Sequence, residues 1–298
     1  MRPEIVLFGD SLTEQSFRPG GWGASLANTY SRKADVLVRG YGGYNTRWAL
    51  FLLYHLFPLN FGFEECGLWE NGPSKAILNK SHKLSTSVMV VNHGRSLVDL
   101  MVNHQLIDIN ERLIKDSTKP PSVVTIFFGA NDAAILGRTS ERQHVPIEEY
   151  KNNLRKIVLH LKECSPTVVV VLITPPPIDE EGRNKYARSL YGENAGKLPE
   201  RTNEETGVYA KECAELAKEM GLHSIDLWSK MQETEGWQKK FLSDGLHLTP
   251  KGNAVVHQEV VRVSSVAWFS AAEMPYNFPH HSQIDWTNPA KAFRERGL

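Results

Sequence analysis

At 298 residues, with 41% hydrophobic and 23% charged side chains, the chain has the composition of a folded globular protein, long enough for one large α/β domain or two smaller ones. Lys plus Arg and Asp plus Glu balance at 34 each, which speaks against a nucleic-acid partner or an anionic membrane surface. Three cysteines, Cys66, Cys164 and Cys213, cannot all pair and lack the spacing of a zinc site, so buried or idle thiols in a reducing compartment are expected.

The chain opens almost directly on a strand. No basic segment and long apolar run precede it, and no apolar run approaches about 18 residues, so a cytoplasmic protein without signal peptide or membrane span is expected. Ile5 to Phe8 run straight into Gly9-Asp10-Ser11-Leu12, which reads as a buried strand delivering a serine to the end of a sheet. Gly20 to Gly23 form a bend, and Ala24 to Tyr30 a short helix. Val36 to Gly40 read as a second strand ending in Tyr41-Gly42-Gly43-Tyr44-Asn45-Thr46, where glycines let the backbone turn tightly and aim N–H groups at a ligand. Thr46 is the expected N-cap of a helix over Arg47 to Phe57, closed by Pro58.

From about Asn60 to Lys119 the pattern weakens. Only Ser96 to Lys115 roughly follows a helical period there, and sixty weakly patterned residues are unusual inside a compact domain. Val123 to Gly129 restore a strand that runs into Ala130-Asn131-Asp132. Pro146 to Cys164 form an amphipathic helix with Ile147, Tyr150, Leu154, Ile157, Val158 and Leu161 as its stripe. Val168 to Ile173 are a β-branched strand of the kind that parallel sheets bury on both faces, ended stiffly by Thr174 and Pro175 to Pro177. Thr202 to Met220 are helical, Ile225 to Trp228 a short fifth strand, and Phe241 to Leu248 a loop. Thr249-Pro250 open a last helix to about Ser270, and an irregular arm over 273–298 completes the chain.

Strand and helix alternate, so a single-domain three-layer α/β/α sandwich on a five-stranded parallel sheet is expected, interrupted at about 60–119. Right-handed crossovers bring the carboxyl ends of all strands to one edge, where ligands of such sheets bind. Ser11, Gly43 and Asn131 each follow a strand and meet there. Serine needs a base to become a nucleophile. His247 can supply it, with Asp244 three residues earlier able to fix its tautomer and stabilise the imidazolium. The negative oxygen of acyl transfer needs donors, for which the Ser11 N–H, the Gly43 N–H and the Asn131 amide are available. Asp132 is read as joining loops, Asn45, Thr46 and Arg47 as caps or surface, and Trp22 and Trp48 as core. His82, His93 and His104 lack acidic or cysteine partners, so no metal site is assigned.

Gly9-Asp10-Ser11-Leu12, Gly129-Ala130-Asn131-Asp132 and Asp244-Gly245-Leu246-His247, taken with Gly43, resemble in order the four-residue signature of the SGNH (GDSL) hydrolases. The phrases over 39–50 and 241–249 are similar to the isoamyl-acetate-hydrolysing esterase group, plant members especially. The resemblance spans about 1–58 and 121–298, and the family joins the second helix to the third strand by a short loop where this chain has its interruption. It could be a lid, a surface loop or translated intron sequence. The resemblance implies a serine esterase acting on short acyl esters, acetates above all. Ser11, Asp244 and His247 would be its triad and Ser11, Gly43 and Asn131 its oxyanion hole. It implies a small-molecule ester as partner and no cofactor or metal. The same triad would serve a deacetylase or acyltransferase on acetylated sugars or phenolics, and a chain whose interruption disrupts the site would be a non-catalytic binding protein.

Overall fold

The computed structural model describes residues 2–59, 120–192 and 198–294. The sequence-predicted helix over 96–115, the three spaced histidines, Cys66 and the whole interruption lie outside them. Two compact units emerge, Met1–Leu53 with Lys119–Leu298, and Tyr54–Thr118. Of the second, the described part is the chain from Tyr54 to Leu59.

The first unit is built on a five-stranded, wholly parallel sheet: β1 (Glu4–Gly9), β2 (Asp35–Gly40), β3 (Val123–Phe127), β4 (Val169–Ile173) and β5 (His223–Ile225), in the order β2-β1-β3-β4-β5. Side chains alternate between faces along a strand. Ile5, Leu7, Phe127, Val171 and Ile173 join the core that holds Trp22, Leu26, Val256, Val260 and Val263. The intervening Val6, Phe8, Val124, Ile126, Val170 and Leu172 are equally buried on the other face. That double burial is why β1, β3 and β4 read as near-continuous apolar runs.

Helices α1 (Ser11–Glu14) and α2 (Trp22–Thr29) follow β1, α3 (Thr46–Leu56) follows β2, and α4 (Ile147–Cys164) follows β3. Then come α5 (Glu180–Tyr191), α6 (Asn203–Glu219), α7 (Leu227–Gln232), α8 (Trp237–Phe241), α9 (Pro250–Val266) and α10 (Ala290–Arg294). Helix α2 packs on α9, and α4 packs on α6. These pairs cover the two faces of the sheet and complete the α/β/α layering. The cap at Thr249 forms as the sequence predicts, its hydroxyl accepting the Gly252 N–H, and Thr202, read as helical, instead caps α6 by accepting the Glu205 N–H. No helix among the described residues is long and apolar enough to cross a membrane.

Three local expectations are corrected. The fifth strand ends at Ile225 rather than running to Trp228, because the Asp226 carboxylate accepts the Ser229 N–H at 3.0 Å and starts α7. Thr46 is not the cap of α3. Asn45 is, its side-chain oxygen accepting the Trp48 N–H at 2.9 Å, while Thr46 begins the helix itself. Helix α5 is absent from the sequence pattern. Its apolar residues are confined to its second half, at Tyr186, Ala187, Leu190 and Tyr191, and none is buried, so it has no full-length core stripe of the kind by which a helix is read from sequence. Pro175, Pro176 and Pro177 are buried and close β4 as expected, and Trp22 is core, its indole donating to the Leu12 carbonyl at 3.0 Å.

Candidate active site

Ser11 stands directly beyond β1 as the first residue of α1, where no intrahelical acceptor exists for its N–H. Asp10 caps that helix by accepting the Leu12 N–H at 2.9 Å, so the serine is fixed by the tightest part of the turn. Its hydroxyl lies 2.9 Å from Nε2 of His247. Nδ1 of the same ring lies 2.7 Å from Oδ2 of Asp244. An ionised carboxylate only accepts, so Nδ1 carries the proton and Nε2 is left to accept from the serine.

Asp244 and His247 share one loop. The other carboxylate oxygen, Oδ1, accepts the backbone N–H groups of Leu246 and His247 at 3.0 and 2.7 Å, so three-residue spacing lets one side chain brace both its own turn and the imidazole. Arg183, on α5, adds a fourth donor, its Nη1 3.0 Å from Oδ2. Burial alone would raise the Asp244 carboxyl, but these hydrogen bonds and the neighbouring positive charges hold it well below the usual carboxylate range. It therefore stays ionised beside His247.

The three nominated donors converge on the same mouth. Ser11, Gly43, Asn131 and His247 line one open cavity of about 250 Å³ over the strand ends. Gly43 sits at φ +78°, a conformation that side chains rarely adopt. Its neighbour Gly42 gives its N–H to the Glu14 carboxylate at 2.6 Å, whereas the Gly43 N–H bonds no acceptor among the described residues. Of the two glycines, only Gly43 has a donor to spare. The Asn131 amide donates to the Tyr44 carbonyl at 2.8 Å and accepts from Arg201 at 3.0 Å. Its orientation is thereby fixed, with one further N–H left over.

Sequence reasoning missed the residues that hold this arrangement. Arg201, almost wholly buried, reaches four acceptors: the Ala130 carbonyl at 2.5 Å, Asn131 Oδ1 at 3.0 Å, Gln143 Oε1 at 2.5 Å and Glu200 Oε1 at 2.6 Å. Gln143 in turn donates to the Gly43 carbonyl at 3.0 Å. Glu200 also pairs with Arg183. Burial would raise the Glu200 carboxyl, but the two arginines hold it below its ordinary value. Glu200 thus joins the arginine behind Asp244 to the arginine behind Asn131. Glu200-Arg201-Thr202 looks like ordinary polar sequence before a helix cap, and no spacing flags it.

Asp132 does not line the cavity. It is fully buried, and its Oδ1 accepts the Thr46 N–H at 2.9 Å and the Thr46 hydroxyl at 2.5 Å, which joins the turn after β3 to the start of α3. Burial pushes the carboxyls of both Asp132 and Asp10 up to about 7, against the partial relief of their hydrogen bonds. The folded values exceed the unfolded one, so their contribution to stability is complete below about pH 4 and is lost as pH rises through about 7. Asp244 and Glu200, held low, act in the opposite sense and only below about pH 4. The melting temperature is therefore expected to fall between about pH 4 and 7 and to level off above it, and Asp10→Asn, which keeps the cap oxygen, to lessen that fall. Thermal melts across pH check this, and an unchanged slope in the variant contradicts it.

A family model described as GDSL-like Lipase/Acylhydrolase matches residues 5–260. The chain is 58% identical over 298 residues to a GDSL esterase/lipase of Arabidopsis thaliana, covering 100% of each chain. It is 36% identical over 288 residues to the isoamyl acetate-hydrolyzing esterase 1 homolog of Bos taurus, covering 96% of this chain and 90% of the relative. Its fold is similar to that of the lipase/acylhydrolase from Enterococcus faecalis, with a TM-score of 0.55 and 21% identity over 94% of this chain and 100% of that one.

Proposed function

Because the chain belongs to the GDSL-like lipase/acylhydrolase family and is a carboxylic ester hydrolase, we propose that it is a serine esterase cleaving small acyl esters, acetates among them, through Ser11, His247 and Asp244. The observation that carries the proposal is the continuous line from the Ser11 hydroxyl to His247 Nε2 at 2.9 Å and from His247 Nδ1 to Asp244 at 2.7 Å. As the Ser11 oxygen attacks the ester carbonyl, His247 takes its proton and Asp244 stabilises the imidazolium. The carbonyl oxygen becomes negative and is met by the N–H groups of Ser11, Gly43 and Asn131, each typically worth about 10²–10³ in rate. The tetrahedral intermediate collapses, His247 returns the proton to the departing alcohol, and an acyl group remains on Ser11. Water then attacks with His247 again as base, releasing the acid and restoring the serine.

Acetate as the acyl group is supported by the isoamyl acetate hydrolysis for which the mammalian relatives are named. A cavity near the small end of about 300–1,000 Å³ for ligand sites suits it. Hydrolysis rather than transfer is supported by the openness of the cavity, since two of its lining side chains, Leu190 and Tyr191, are more than half exposed and water reaches the site. The buried free thiol of Cys213, pushed up to about 12 by burial, suits a reducing compartment such as the cytoplasm.

The test is hydrolysis of a chromogenic acetate ester by the full chain, paired with mass spectrometry after treatment with a fluorophosphonate. Turnover and a single phosphonyl adduct on the Ser11 peptide are expected. Attack of the serine oxygen on phosphorus expels fluoride only where a base takes the serine proton, so an adduct elsewhere, or none, overturns the assignment.

A further inference from the structure

Helix α5 presents an anomaly. It is a 12-residue helix with no buried side chain, yet Tyr186, Ala187, Leu190 and Tyr191 recur at the spacing that makes one helix face. In a surface helix such a stripe ordinarily packs into the core. Here all four side chains instead line the cavity that holds Ser11, Gly43, Asn131 and His247. Tyr186 is 39% exposed, Leu190 55% and Tyr191 61%, so the stripe remains largely uncovered.

The helix is held by its first turn to the loop carrying Asp244 and His247. The Asp179 N–H donates to the Gly245 carbonyl at 3.0 Å. Gly245 sits at φ +86°, and a Cβ there would stand 2.4 Å from the Asp179 carbonyl oxygen and 2.5 Å from the Arg183 nitrogen. No residue but glycine allows that approach. Arg183 adds its contacts to Asp244 and Glu200, and its guanidinium lies over the Tyr186 ring, 5.3 Å from the centroid. The apolar wall is thus fixed relative to the reacting serine. Apart from Leu246, the remaining side chains of the lining are polar, Ser140, Gln143 and Glu200 among them.

A polar floor with one apolar wall recognises an amphiphilic ligand. We propose that the Tyr186–Tyr191 face of α5 is the specificity wall of the site, binding the hydrocarbon part of the ester and favouring substrates with a chain of about four to eight carbons over the smallest acetates. The proposal rests on the esterase reading of Ser11. Each methylene removed from water against the wall raises kcat/KM by about two- to fourfold. Hydrocarbon on either side of the ester bond has this chemistry, so the acyl and alcohol portions are tested separately.

The experiment measures kcat/KM of the full chain on two series. One lengthens the acyl chain of a p-nitrophenyl ester from two to eight carbons, and the other lengthens the alcohol of an acetate over the same range. One series is expected to climb, which identifies the portion on the wall. Leu190→Asn with Tyr191→Ser, both at exposed positions, is expected to flatten the climb and lower the longest-to-shortest ratio at least tenfold. Arg188→Ser, on the opposite face of α5, leaves the climb intact. A wild type without chain-length dependence, or a double variant with the wild-type ratio, overturns the wall. Hexyl acetate binding to Ser11→Ala, read by saturation-transfer NMR, separates this failure from that of the esterase reading. Saturation lost in the triple variant upholds the wall without turnover, retained saturation refutes it, and consumption of the ester by Ser11→Ala refutes the nucleophile instead.

Discussion

Ser11→Ala is expected to lower kcat on a chromogenic acetate by about 10⁴- to 10⁶-fold and to leave the chain folded. The side chain makes one hydrogen bond, to His247, and is only partly buried, so its removal leaves no buried group unsatisfied. Alanine also suits the start of a helix interior better than serine, and the Asp10 cap does not involve the lost oxygen. The melting temperature should therefore move little in either direction. The remaining activity should come from the proposed oxyanion donors and from binding alone. His247→Ala should cost nearly as much. The double variant should cost hardly more than either, since the proposed nucleophile and base would act as one unit. Steady-state kinetics of the three variants decide the matter. Additive losses, or a Ser11→Ala enzyme within about tenfold of wild type, would place the chemistry elsewhere.

Most of this site was legible because its parts sit where the chain must change structure. A strand buried on both faces is an unmistakable run, and Ile5–Phe8 and Val123–Phe128 are such runs. In parallel topology the residues just beyond each strand are drawn to one edge of the sheet. Ser11, Gly43 and Asn131 are therefore drawn together by the sequence pattern alone. Asp244 and His247 were legible for a second reason, namely that three-residue spacing lets one turn carry both. The illegible parts depend on tertiary contact alone. Arg183, Glu200 and Arg201 lie in polar sequence, and nothing local says that Arg201 will be enclosed by Ala130, Asn131 and Gln143. Helix α5 carries its apolar residues towards a cavity rather than a core, so its stripe has no partner in the sequence pattern. At residues 45 and 46 the pattern offers two capping side chains. The buried Asp132 carboxylate claims Thr46 and leaves the cap to Asn45.

Arg201→Met is expected to damage both the fold and the reaction, and Arg201→Lys to separate the two. The guanidinium is enclosed, and it spans four acceptors on two connections, the one between β3 and α4 and the one between α5 and α6. Methionine fills much of the same space but leaves the Ala130 carbonyl, Asn131 Oδ1 and Gln143 Oε1 without their donor and Glu200 with Arg183 as its remaining arginine. Breaking a buried ion pair from one side costs about 3–5 kcal/mol, because the partner charge stays behind without compensation. Equilibrium urea unfolding should show a loss of that order. The kinetic loss has a different origin. Asn131 is oriented by Arg201 directly, and Gly43 through Gln143. Both proposed oxyanion donors would lose their alignment together, so kcat should fall by about 10²–10³ with a much smaller change in KM, the signature of a group that acts on the transition state. Lysine restores the charge beside Glu200 but cannot reproduce a planar fork of five donors. It should recover most of the stability and little of the turnover. If Arg201→Lys restored both in the same proportion, the residue would be a counter-ion for Glu200 and nothing more. If turnover stays low in a well-folded lysine variant, the geometry of the fork, rather than its charge, is what Asn131 and Gly43 require.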